Sequence, residues 1–228
     1  MNTCTAAKTE INAILFDMDN TLFDFAAAKI VSCGKICEFL GKGTDWDLMR
    51  YFLNSGLGYE NHANIEKFMK DNGIYNEADY ETAVCIYESV KLNSLVLYDN
   101  VIPTLEKIRA AGIKTAIITD AESSQAKKRL TKTNLAQYFD CAVSPDISGA
   151  RKPEPPTFLC ALEKLGTAAG VSMVVGDSLR REIEPANKLG MTSVYAKYGD
   201  WMKIPAKDVI PDYTIENFGE LAGILSLE

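Results

Sequence analysis

Ile14-Leu15-Phe16-Asp17-Met18-Asp19-Asn20-Thr21-Leu22-Phe23 is the stretch around which the chain is read. The apolar run from Ile11 to Phe16 has the length of a strand buried on both faces, and it stops at two carboxylates spaced i, i+2. Side chains alternate along an extended backbone, so Asp17 and Asp19 share a face if the strand continues. Such a pair can divide labour: one carboxylate attacks an electrophile while the other, protonated, gives a proton to the leaving group. A strand ending in an Asp-rich turn uses the same residues. The choice between these readings falls to the rest of the chain.

At 228 residues, with 47% apolar and 24% charged side chains, the chain is of ordinary globular composition and long enough for a substantial core. A formal charge of −7 argues against a nucleic-acid surface or an anionic membrane as partner. The start, Met1 to Glu10, is polar and lacks the apolar run of a signal peptide, and no segment is long enough to span a bilayer. These features predict a cytoplasmic protein. Cysteines at 4, 33, 37, 85, 141 and 160 have neither disulfide-framework nor zinc-knuckle spacing and read as reduced. Cys33 and Cys37 stand i, i+4 on a predicted helix, where core packing is the expected role. His62 is the only histidine, and nothing around it supports a histidine-dependent nucleophile.

After Phe23 the apolar period changes to that of helices and stays so to about residue 96. Ala26, Ile30, Cys33, Cys37 and Leu40 mark one helix; further helices are predicted over 45–53, 60–69 and 77–90. From Tyr98 strands and helices alternate, with strands predicted at 113–118, 139–144, 172–175, 192–195 and 213–215. This order predicts an α/β fold: a Rossmann-like, doubly wound parallel sheet formed by 1–23 and 97–228, with an all-helical second domain at 24–96.

Ligands of open parallel sheets sit beyond the carboxyl ends of the strands. There the sequence places Asp17 and Asp19, Thr119-Asp120, Ser144, and Gly176-Asp177-Ser178. Lys152, at a predicted helix start, adds positive charge. Transfer of a phosphoryl group needs such a set, because charge spread over three oxygens must be met by fixed cations and hydrogen-bond donors, here Lys152 and Thr119. The excess of carboxylates, with Glu182 close behind Asp177, predicts a hard cation among them; oxygen-only ligands favour Mg2+, with Asp17 and Asp177 as its ligands. Taken singly, Thr119 reads equally as a turn residue and Asp177-Ser178 as a helix cap.

In motif order, Asp17-Met18-Asp19-Asn20-Thr21-Leu22, Thr119, Lys152-Pro153 and Gly176-Asp177-Ser178-Leu179, the chain resembles the haloacid dehalogenase superfamily of hydrolases, which are mostly phosphatases. The helical insert after the first motif resembles that family's cap. The resemblance implies that Asp17 attacks phosphorus to form an aspartyl-phosphate, and that Asp19 protonates the departing alcohol and then activates water. It implies that Thr119, Asp120 and Lys152 line the phosphate position. Magnesium would be held by Asp17, the main-chain carbonyl of Asp19, and Asp177. Two positions depart from the family pattern: Asp120 stands where Asn or Gly is usual, and Glu182 where Asp is frequent, the latter expected to reach the metal through water. An acid at position 19 argues against dehalogenation.

The expected substrate is a small phosphorylated metabolite, with Arg50, Tyr51, Tyr59, His62 and Asn64 of the insert as candidate contacts. A phosphomutase of the same fold, and a phospho-aspartate signalling or binding module without turnover, are the competing readings.

Overall fold

A computed structural model of the chain describes residues 10–227. The reading of the chain's start as free of a leader falls largely on residues 1–9, outside that range. The chain divides into two compact units: one runs up to Phe23 and resumes at Leu97, and the other is Asp24–Val96.

The first unit is built on six parallel strands: β1 (Ala13–Phe16), β2 (Lys114–Ile118), β3 (Cys141–Val143), β4 (Ser172–Gly176), β5 (Thr192–Ala196) and β6 (Tyr213–Ile215). Their order is β3-β2-β1-β4-β5-β6, so the sheet is of the doubly wound type and β1 lies inside it. Leu15 stands opposite Ala116 on one side and Val174 on the other. All four residues of β1 are fully buried, which is why its sequence is continuously apolar rather than alternating. Ala13 and Leu15 pack with Ile118, Val143 and Val174 against Phe158, Ala161 and Leu165. Phe16 meets Phe139 and Phe218, with ring centroids at 5.9 and 5.7 Å. Each such side chain, fully buried, contributes about 1.5–3 kcal/mol.

In the second unit, α1 (Phe25–Leu40) packs against α2 (Asp45–Asn54) and α4 (Glu77–Asn93), and α3 (Ala63–Asp71) joins them. Its helix starts are capped as the sequence permits: Asp24 accepts from the Ala27 N–H at 2.8 Å, Thr44 and Asp47 form a reciprocal capping box, and Asn76 accepts from Asp79. Cys33 and Cys37 are buried in this core, and burial pushes their thiols up to about 12 and about 11. They pack as apolar residues.

In the first unit the remaining helices are α5 (Val101–Ala110), α6 (Ser123–Lys132), α7 (Pro145–Ser148), α8 (Pro155–Leu165), α9 (Glu184–Leu189) and α10 (Glu220–Ile224). Two details differ from expectation. The sequence predicts one helix from Arg181 to Leu189, whereas Leu179–Ile183 forms a π-turn before α9 begins. Pro185 has no N–H to return to the Arg181 carbonyl, so an α-ladder cannot run through this segment. Lys152 is not at a helix start: α8 begins at Pro155, three residues later, and it is the lysine side chain that reaches the sheet edge. Among the described residues no helix is long and apolar enough to cross a membrane.

Within the helical unit a charged network is drawn out of water. Lys91, almost wholly buried, lies 2.8 Å from Glu88 and 3.2 Å from Glu60, and Glu88 also meets His62 at 2.9 Å. The Lys91 ammonium stands 4.3 Å from the centre of the Tyr87 ring, which stacks on Phe52. Burial alone raises the Glu88 pKa, but the hydrogen bonds from His62 and Lys91 outweigh it and bring it down to about 2. A carboxylate depressed below its unfolded value stabilises the fold above about pH 4.5, and that contribution fades as pH falls toward 2. Glu88→Gln is therefore expected to lower the urea midpoint at pH 7, with the difference from wild type narrowing between pH 5 and pH 3.

Candidate active site

The strand order brings the ends of β3, β2, β1 and β4 side by side, and with them Ser144, Thr119, Asp17 and Asp177. Asp17 continues the ladder by one residue, donating its N–H to the Val175 carbonyl at 2.9 Å. The chain then turns: Asn20 adopts a left-handed conformation (φ 63°), and the Asn20 N–H returns to the Phe23 carbonyl. The segment after β5 braces this turn. Tyr198 donates its hydroxyl to the Thr21 carbonyl at 2.6 Å, and a Cβ at Gly199 would fall 1.7 Å from the Asn20 carbonyl oxygen, so only glycine allows that approach.

Both oxygens of the Asp17 carboxylate are held. Thr21 Oγ1 donates to one at 3.0 Å and Lys152 Nζ to the other at 2.5 Å. Lys152 also donates to the Ile118 carbonyl and lies 2.8 Å from Glu182 Oε1. Burial opposes its charge, but Asp17, Glu182 and Asp120 outweigh burial and hold its pKa above the ordinary lysine value.

Asp17, Asp177 and Glu182, all buried, offer carboxylate oxygens within 4.8 Å of one another. Burial, reinforced by Asp17 and Glu182, pushes the Asp177 carboxyl well above the usual range. Burial likewise raises Glu182. Glu182 stands inside this cluster: its Oε2 accepts from the Ser178 N–H at 3.0 Å. Room for it comes from Gly176, where a Cβ would lie 2.4 Å from the Glu182 Cγ. The neighbouring Ser178 is the helix cap, accepting from the Arg181 N–H, which leaves Asp177 to the cluster.

Thr119 is buried at the end of β2, with its Oγ1 accepting from the Ala121 N–H at 3.1 Å. The Asp120 carboxylate accepts from the main-chain N–H of Lys152 at 2.9 Å and stands 3.7 Å from Arg181. Its negative charge thus fastens the turn that carries the lysine.

Two arginines that no sequence motif marks also reach these carboxylates. Arg129, on α6, is 1% exposed and donates to Asp19 Oδ2 at 2.5 Å. Arg181 reaches Asp177 at 3.3 Å. In the helical unit, Arg50 is exposed and pairs with Asp47, and Tyr51 packs edge-on against Phe68. His62 is engaged with Glu88. Asn64 is fully buried and spends its amide N–H groups on the Gly58 and Asn61 carbonyls, at 2.9 and 2.8 Å, so it ties a loop together. Tyr59 uses its carbonyl to accept from Lys29.

Two substitutions test this arrangement. Gly176→Ala is expected to displace Glu182 and destabilise the protein by about 1–3 kcal/mol through overpacking, read from urea unfolding. Arg129→Met should cost about 2 kcal/mol in the same measurement, because a nearly buried charge-assisted bond to Asp19 is lost.

The sequence profile of haloacid dehalogenase-like hydrolases matches residues 14–196, from the first strand to the end of the fifth. The glyceraldehyde 3-phosphate phosphatase of Methanocaldococcus jannaschii is 28% identical over 224 residues, covering 94% of this chain and 97% of that protein. The phosphoglycolate phosphatase of Aquifex aeolicus is 29% identical over 220 residues, again covering 94% and 97%. In fold the chain matches the magnesium-bound HAD-hydrolase YfnB of Bacillus subtilis with a TM-score of 0.77 at 22% identity, over 96% of this chain and 100% of that one. With the profile spanning most of its length and its motifs converging on one sheet edge, the chain belongs to the haloacid dehalogenase-like hydrolases.

Proposed function

We propose that the protein is a magnesium-dependent phosphatase that hydrolyses a small phosphomonoester metabolite through an aspartyl-phosphate on Asp17. The observation that carries this reading is the meeting of Asp17, Asp177 and Glu182 within 4.8 Å beside a fully buried lysine. Three buried carboxylates suit a hard divalent cation, and the upward shift of Asp177 marks how poorly the cluster tolerates its own charge without one. Asp17, the Asp19 carbonyl and Asp177 would hold Mg2+, with Glu182 supporting. When bound, the ion supplies positive charge to the phosphoryl oxygens.

The protein's own groups supply the rest. Thr21 and Lys152 fix the plane of the Asp17 carboxylate, so the nucleophile is oriented before substrate arrives. Attack on phosphorus forms the Asp17 acyl phosphate and breaks the ester bond, and the alkoxide takes a proton from Asp19, which enters this step as the protonated acid with its Oδ2 still accepting from Arg129. Asp19, now a base, removes a proton from water, which attacks phosphorus and releases Asp17. Arg129 holds the Asp19 carboxylate from the side of α6. Lys152 gives up its contact with Glu182 to donate to a phosphoryl oxygen, and the Thr119 hydroxyl, which accepts from the Ala121 N–H, donates to another. Asp120 holds the main chain of Lys152 and is not assigned to the phosphate. The helical unit is assigned the choice of leaving group, with Arg50 and Tyr51 as its accessible candidates. The named activities of the relatives support small phosphorylated carbon compounds as the substrate class.

The test is phosphate release from a panel of phosphomonoesters with and without Mg2+. Wild type is expected to release phosphate only with the metal. Asp17→Asn should fold normally and release none, and Asp19→Asn should slow turnover by at least about 100-fold. Isomerised ester without free phosphate would assign a phosphomutase; stable phosphorylation of Asp17 would assign a signalling module.

A further inference from the structure

Arg181 differs from the other cation of the cluster in every respect that matters for a charge. Lys152 is sealed from solvent and fastened by Asp17, Glu182 and the Ile118 carbonyl. The Arg181 side chain is 43% exposed, yet the carboxylates beside it are mostly buried. Its guanidinium reaches three of them with three different nitrogens: Nη2 to Asp177 at 3.3 Å, Nη1 to Asp120 at 3.7 Å and Nε to Glu182 at 4.0 Å. A structural arginine typically closes a bidentate fork at 2.7–2.9 Å. Here the charge is shared loosely and from the solvent side. The backbone is held as well, by the bond from the Arg181 N–H to Ser178 Oγ at the start of the π-turn. The same turn carries Glu182, so the arginine and an acidic member of the cluster are neighbours on one short segment.

We propose that Arg181 is a built-in counter-ion that competes with the divalent cation for Asp177. In the metal-free protein it offsets the repulsion among Asp17, Asp177 and Glu182. A cation entering the cluster must displace the guanidinium from Asp177, and the exposed side chain has solvent to move into. Arg181 therefore sets the metal affinity to a weaker value than the three carboxylates alone would give, and keeps the empty site folded. This inference rests on the magnesium-site reading above.

The experiment compares wild type, Arg181→Met and Arg181→Lys, using Mg2+ alone in titration calorimetry, Mn2+ alone as a paramagnetic probe, and thermal melting with and without Mg2+. Arg181→Met keeps the length of an unbranched stem without the charge. It is expected to bind Mg2+ and Mn2+ roughly tenfold more tightly or better, since a positive charge a few ångströms from a ligand oxygen is removed. It should also melt lower than wild type without metal and gain more on adding Mg2+. Arg181→Lys, which keeps the charge, should stay near wild type. Metal affinity unchanged or weakened in Arg181→Met would overturn the proposal. So would unchanged metal affinity with loss of inorganic phosphate binding, which would make Arg181 a phosphate ligand. If wild type itself binds neither cation, the magnesium reading fails along with this inference, whereas binding in wild type with no change in the variant removes the inference alone.

Discussion

Asp17, Asp177 and Glu182 are held out of water with their oxygens within 4.8 Å of one another. Like charges so placed repel strongly and lose their hydration, and a marginally stable fold cannot absorb that without compensation. Much of the surrounding architecture follows. Lys152 is drawn fully inside to lie between two of the carboxylates; Asp120 turns inward to hold that lysine's main chain; Ser178 gives its N–H to Glu182. Gly176 is bare because the Glu182 side chain fills the space where its Cβ would be. The sheet edge gathers these groups, and their charges determine how the loops beyond it are tied.

Legibility in the sequence followed physical determinacy. The strands were readable because a strand buried on both faces must be apolar throughout, as Ala13–Phe16 and Ser172–Gly176 are apart from Ser172. Strand ends were readable because parallel topology fixes which edge they share, and that edge carries Asp17, Thr119 and Asp177. The two arginines were hidden for a different reason. Arg129 lies among the exposed Lys127, Lys128 and Lys132 on α6, and nothing in their spacing singles it out. Which of them turns inward depends on the helix's rotation against the sheet, a tertiary quantity that spacing alone does not give. Arg181 was masked by the expected helix through 181–189. The π-turn that replaces its start follows from Pro185, and the proline was visible, but its effect on the direction of the preceding residues was not.

Asp120 shows the limit of reading charge without geometry. A carboxylate next to a phosphate position looks unfavourable, yet its bond to the Lys152 N–H makes it part of what holds the cation in place. His62 and Asn64 carry the same lesson in the helical unit. Their polarity suggested contact with a ligand, while their hydrogen bonds are spent on Glu88 and on loop carbonyls. A buried polar side chain is available for recognition only after its internal obligations are met.

The bond between Lys152 and Asp17 joins residues 135 positions apart. Closing so large a loop is entropically costly, and it depends first on β2 and then on β4 docking beside β1. On a ribosome, Asp17 emerges early and remains an ordinary solvated carboxylate while most of the chain is still being made. The groups that surround it arrive late, with the segment that carries Lys152, Asp177 and Glu182. A nascent or truncated chain that ends before residue 152 therefore holds neither the acidic cluster nor its buried lysine, and the constellation forms only once β4 is in place beside β1.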